Sequence, residues 1–255
     1  MVEQVFLYRA PSTVADADEV ASWLEPRIEG SVAVRDRFLE TYSSDTIVDA
    51  FAQARVRGPH ERRTGNTMLG TLRYEERVLE HPERAGGIVY DGRQIQRALN
   101  DALDPAERTL ETLHIVLLDR VLGTWGDHDG RWHKRVTVPG QPALLSVPGL
   151  YEAPAKPEAY YRAKQGHALL SGDTPPRELL ERDTEGSFLI DNDPRTTAAV
   201  RGYALQAVAY LETGEAFCQD STCCLFNAHT HEDLCKAQLE DPLLCTRHVR
   251  RYGRS

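Results

Sequence analysis

The sequence predicts an α+β or mixed α/β single domain, a β-sheet with helices packed on it, and three observations carry that expectation. The first hundred residues alternate short apolar runs with helical spacing, a nearly continuous apolar run occupies 113–119, and the segments after Pro157 are mainly helical. A chain of 255 residues can bury a core without disulfides or a partner, so one domain spanning 1–255 is expected.

Val5-Phe6-Leu7-Tyr8 predicts the opening strand. Asp16, Asp18 and Glu19 form the acidic first turn of a helix whose apolar positions are Val20, Trp23, Leu24 and Ile28, with Gly30 as its stop. Pro26 falls inside that pattern, so the helix kinks or ends early. Val32 and Val34 alternate with Arg35 and Arg37 in a second strand, and Ser44-Asp45 caps a helix carrying Ile47, Val48, Phe51 and Ala54.

Residues 58–86 are polar and rich in Arg, which predicts loop with a helix over 72–80. Ile88-Val89-Tyr90 predicts a short strand, and Asp91 caps a helix through Ile95, Leu99 and Leu103 that stops before Pro105. The run 113–119 suits a central strand, on which His114 reads as a hydrogen-bonded core histidine. The polar stretch 126–135 separates it from strands at 136–138 and 143–147. Helices are expected over 157–170 and from Pro176-Arg177-Glu178. Asp193-Pro194 opens a long helix with a broad apolar face, ended by Gly214, which should be the buried central one.

Charge and composition narrow the function. Acidic residues outnumber basic ones by 39 to 30, for a net charge of -9, which argues against nucleic acid or an anionic membrane as partner. No window approaches the roughly 18 uninterrupted apolar residues of a spanning helix. Met1-Val2-Glu3-Gln4 lacks the flank and core of a signal peptide, so the expected location is the cytoplasm. There is no GxSxG, no Walker A loop, and no GxGxxG after a strand.

All 5 cysteines fall between Cys218 and Cys245. In a reducing compartment, clustered thiols hold a metal more often than they form bridges. Cys218 and Cys223 form one pair, Cys245 and His248 another, and three thiolates with one imidazole would fill a closed structural zinc site. Cys224 can stand in for Cys223, and Cys235 reads as a core thiol. The plainer alternative is a set of buried free cysteines.

The stretch Gly214-Glu215-Ala216-Phe217-Cys218-x4-Cys223-Cys224-Leu225, with the later Cys245-x2-His248, resembles the archaemetzincin metallopeptidases. Their pattern runs HExxHxxGxxHC-x4-C-x-M and then, after a spacer, C-x2-C. The resemblance implies a zincin-like mixed sheet with packed helices and a zinc-stapled C-terminal segment over 214–251. It also exposes departures. The three zinc-binding histidines of the family correspond to Ala207, Leu211 and Phe217, the general-base glutamate to Val208, and the methionine to Leu225. None of these can bind a catalytic zinc or move a proton. What the resemblance implies is a pseudoenzyme with one structural zinc, serving a protein or peptide ligand through the old cleft.

The alternative is a metal-dependent hydrolase or peptidase whose catalytic metal has moved. His229, His231 and Glu232 offer one such set, with Cys235 a turn beyond His231, although the plainer reading is that the two histidines cap or pack the turn beside the structural zinc. Asp127, His128, Asp129 and His133 offer another, although Gly126 and Gly130 make an ordinary turn the simpler reading. Glu152 and Lys156, among prolines, could bind a ligand or simply occupy a restricted connection.

Overall fold

The computed structural model describes residues 1–10, 14–42, 46–65, 68–173, 175–176, 179–180, 188–240 and 243–253. Strand β1 (Gln4–Tyr8) leads to helix α1 (Ala17–Leu24), whose cap is Asp16, accepting from the N–H groups of Asp18 and Glu19. The helix ends early: Pro26 sits in a 3-10 turn at Glu25–Arg27. Strand β2 (Ser31–Arg35), the one-turn helix α2 (Phe38–Thr41) and helix α3 (Ile47–Ala54) follow. The cap expected at Ser44-Asp45 lies outside the described residues. Helix α4 (Leu69–Glu80) starts three residues before the expected 72, and strand β3 (Val89–Asp91) runs directly into α5 (Gly92–Ala102). Asp91 caps α5 as expected, accepting from Arg93 and Gln94.

Strands β4 (Thr112–Leu118), β5 (Val121–Gly126), β6 (Arg131–Arg135), β7 (Thr137–Val138) and β8 (Ala143–Ser146) come next. The polar stretch 126–135 is therefore more than a connection. It contains β6 and the hairpin turn that joins it to β5, closed by the Gly130 N–H donating to the Gly126 carbonyl at 2.9 Å. The second half carries α6 (Gly149–Glu152), α7 (Glu158–Ser171), α8 (Thr196–Thr213), α9 (His231–Leu239) and α10 (Thr246–Tyr252). The start of the helix expected from Pro176, at Arg177 and Glu178, lies outside the described residues. Among the described residues no helix is long and apolar enough to cross a membrane.

The strands form a five-stranded sheet in the order β2-β1-β4-β8-β7 and a three-stranded sheet in the order β3-β5-β6. In the larger sheet β2, β1, β4 and β8 are parallel and the edge strand β7 is antiparallel, so the mixed sheet with packed helices is what the chain adopts. Side chains alternate between its faces. Val5, Leu7, Leu113, Ile115 and Leu117 point to one side, where they meet α1 and α8. Tyr8, Val116 and Leu144 point to the other, against α3 and α5. Burial on both faces is why β4 reads as an unbroken apolar run.

Helix α8 lies in the first of these layers. Val200, Ala204, Leu205 and Val208 are all nearly inaccessible, and burial of each large aliphatic chain contributes about 1.5–3 kcal/mol. On the other face His114 is a satisfied core histidine. Its Nε2–H donates to the Glu107 carbonyl at 3.1 Å, which leaves Nδ1 to accept from the Tyr8 hydroxyl at 2.8 Å.

Candidate metal centre

Helix α8 ends where Gly214 takes a left-handed conformation (φ 74) and donates its N–H to the Tyr210 carbonyl. The chain then folds back on itself. Cys218 donates its N–H to the Leu225 carbonyl at 2.8 Å, Phe226 donates to the Cys223 carbonyl at 2.8 Å, and Cys223 donates to the Asp220 carbonyl at 3.1 Å. The Asp220 carboxylate tightens the turn by accepting from the N–H and hydroxyl of Thr222. Cys218 and Cys223 are thereby presented together.

The second pair comes from the start of α10. Cys245 is its N-cap and His248 lies three residues on, so both occupy one face of the first turn. The Cys224 N–H, donating to the Leu243 carbonyl at 2.8 Å, ties the two segments together.

The ligand atoms of Cys218, Cys223, Cys245 and His248 all lie within 4.8 Å of one another. The Cys218 and Cys245 sulfurs are 3.9 Å apart, and His248 Nδ1 is 3.5 Å from the Cys223 sulfur and 3.2 Å from that of Cys245. A tetrahedral ion bonded at about 2.3 Å to sulfur and about 2.0–2.1 Å to nitrogen separates two sulfurs by about 3.8 Å and sulfur from nitrogen by about 3.5 Å. The four groups have the spacing of a tetrahedral ligand set.

Electrostatics agree with that use. The polar surroundings of the Cys223 sulfur, the Cys224 side chain first and then the backbone at Cys245 and Leu225 and the His248 ring, favour its thiolate and pull its pKa down to about 4. Burial, with the charge on Cys223 beside it, pushes Cys218 up to about 11. A cation among these sulfurs would compensate the Cys223 thiolate and remove the obstacle to ionising Cys218 beside it. Cys224 lies beside the cluster without joining it: its Cβ packs against Gly202 of α8, and its carbonyl accepts from Gln206 and Gln238. Cys223, not Cys224, enters the cluster. Cys235 lies half-buried on α9, apart from it.

Helix α8 carries no second ligand set. Ala207 and Val208 are buried in the core, Leu211 is packed against it, and Phe217 is half-buried on the loop that follows. The set His229, His231 and Glu232 does not assemble either. His229 and Glu232 are exposed, while His231 is fully buried with its ring 5.3 Å from that of Phe188. In the β5–β6 turn, His128, Asp129 and His133 do converge within 4.8 Å. Hydrogen bonding explains the arrangement: His133 Nε2 lies 2.9 Å from the Asp129 carboxylate and Arg131 Nε donates to it at 2.8 Å. These contacts hold Asp129 down to about 2. Asp127 pairs with Arg62. Glu152 pairs with Lys134 at 2.6 Å, and the Lys156 ammonium lies over the Phe188 ring at 4.1 Å.

A groove of about 1070 Å³ adjoins this region, lined by residues of β6 and β7 and by Tyr203, Tyr210 and Phe217 among others. Spacing alone did not reveal it, because its lining comes from many separate segments.

The model of DUF7001, a family of unknown function, matches residues 6–251. The chain belongs to the DUF7001 family. No curated protein matches this DUF7001 chain. Among solved structures it is similar to archaemetzincin from Methanopyrus kandleri, with 12% identity, a TM-score of 0.39, and coverage of 99% of this chain and 94% of that one.

Proposed function

We propose that this chain is a zincin-like domain held together by one structural zinc and without peptidase chemistry, so that it acts by binding a protein or peptide, not by cleaving one. Residues 1–255 act as one unit, with 214–251 stapled by Cys218, Cys223, Cys245 and His248. The observation that carries the reading is the spacing of the four ligand atoms, which suits a tetrahedral ion. When bound, zinc would supply a cross-link between two chain segments. Four protein ligands leave no open position for a water or a carbonyl. The aliphatic residues Ala207, Val208 and Leu211 supply neither a metal ligand nor a base. A cytoplasmic setting, where thiols stay reduced, suits the proposed site.

The test is the zinc-to-protein ratio, measured by elemental mass spectrometry on untagged protein purified without chelator. The expected ratio is one, lost in Cys218→Ser and in Cys245→Ser, with both variants melting at lower temperature. Retained zinc and an unchanged melting curve in both would overturn the reading. The second reading, a relocated catalytic metal, is favoured only by the convergence of His128, Asp129 and His133. It requires a ratio of two that falls to one in His133→Ala.

A further inference from the structure

The groove reverses the charge of the chain around it. Overall the protein carries 39 acidic and 30 basic residues, yet Arg62, Arg93, Arg131, Lys134 and Arg135 line this one cavity against three carboxylates. A concave surface with an excess of one sign focuses its field on a ligand of the other. Most of these cations are already engaged. Lys134 pairs with Glu152, Arg62 with Asp127 and Arg131 with Asp129, while Arg93 donates to Gln96 and to the Pro139 carbonyl.

Arg135 differs. It is half-buried at the end of β6, and its Nε donates to the Thr124 hydroxyl at 2.8 Å. Among the described residues no carboxylate lies within ion-pair distance of it, and Asp129 acts on it only at longer range. Both Nη groups are left for something else. Two residues on, where the chain passes from the three-stranded sheet to the five-stranded one, Thr137 lines the same groove. It is 9% exposed and its hydroxyl has no hydrogen-bond partner. A guanidinium without a counter-ion and a buried hydroxyl without a partner are both costly alone, and one oxyanion would satisfy both.

We propose that the groove binds an acidic peptide segment, with an Asp or Glu carboxylate of that segment held by the Nη groups of Arg135 and by the Thr137 hydroxyl. With Nε taken by Thr124, the free end of the guanidinium is the planar fork that matches a carboxylate in two parallel bonds. The groove's volume, about 1070 Å³, stands at the upper end of the roughly 300–1,000 Å³ of small-molecule sites and has room for several residues of a chain. Tyr210 and Phe217, both half-buried, offer aromatic surface to the rest of that segment. This inference rests on the reading of the protein as a binding domain and names the chemistry of its ligand.

The experiment is fluorescence polarisation on the full chain with a labelled octapeptide of alternating Glu and Ala, beside its Gln-Ala counterpart. The Glu peptide should bind at least tenfold more tightly. Arg135→Gln should weaken it about tenfold or more, the loss of a charge-assisted pair, and Thr137→Val should weaken it by less. Both variants should keep a zinc ratio of one and the parent melting temperature. If Arg135→Gln melts early, Thr137→Val decides the matter. Equal affinity for the two peptides, no binding of either, or unchanged binding in both variants would overturn the proposal. Displacement of the peptide by inorganic phosphate below 1 mM (about the weakest affinity worth calling a site) would make phosphate the ligand class and also overturn it. A stoichiometric zinc ratio with no peptide bound defeats this proposal and leaves the metal reading standing.

Discussion

At the scale of single residues, His231 shows how far placement changes chemistry. In the sequence, flanked by His229 and Glu232, it can be read as a metal ligand or, more plainly, as a histidine that packs a turn. In the fold it is sealed against Phe188 at the start of α9, and burial, helped by the positive charge of Lys156 and Arg195, lowers its pKa to about 4. A histidine that stays neutral when folded, but takes a proton near its ordinary 6.5 when unfolded, makes acid destabilising. Its contribution is complete above about pH 6.5 and is lost as the pH falls towards 4. Urea midpoints between pH 7 and pH 5 should therefore decline in the parent protein, and His231→Phe should flatten that decline. An equal slope in both proteins would show that His231 takes up its proton alike in the folded and unfolded states.

Helix α8 makes the corresponding point for elements. Gly202 lets α9 and the cysteine loop approach it closely: a Cβ there would fall 1.8 Å from Gln238 Oε1 and 2.8 Å from the Cys224 Cβ. Gln238 donates to the Cys224 carbonyl at 2.8 Å and cannot move without losing that bond. Gly202→Ala should cost about 1–3 kcal/mol, although alanine is the better helix former, and denaturant titration reads it directly. Which elements could be read in advance follows from similar physics. Helices α1 and α5 were legible because each buries a face whose period survives in the sequence, and strand β4 and helix α8 because burial on every side leaves them apolar along most of their length. Strand β6, Arg-Trp-His-Lys-Arg, was not: it is the edge of the small sheet, its polar residues face the groove and solvent, and no alternation remains. The cysteine cluster was legible because local spacing carries it, and only the choice between Cys223 and Cys224 needed the fold. The unpaired Arg135 left no local mark, since what singles it out is the absence of a carboxylate nearby in space.

For the whole molecule, the cluster of Cys218, Cys223, Cys245 and His248 brings the start of helix α10 against the loop that follows the buried helix α8, and the proposed zinc would tie the two. A chelator should lower the melting temperature and speed amide hydrogen exchange over 216–226 and 244–252, while β1 and β4 stay protected, since no strand of the main sheet supplies one of the four groups and its own core residues pack on α1 and α8. Uniform loss of protection would mean that the staple and the sheet unfold together. The sheet has its own vulnerability. Strand β1 is made before both its neighbours, yet it takes an inner place, with β2 on one side and, on the other, β4, whose residues come more than a hundred positions later. At about 5–20 residues per second on the ribosome, the β4-facing edge of β1 waits for its neighbour for roughly 5–20 s. Throughout that interval Val5 and Leu7 belong to an open, apolar strand edge on the nascent chain, where a chaperone finds its substrate and where two growing copies would stick to each other first.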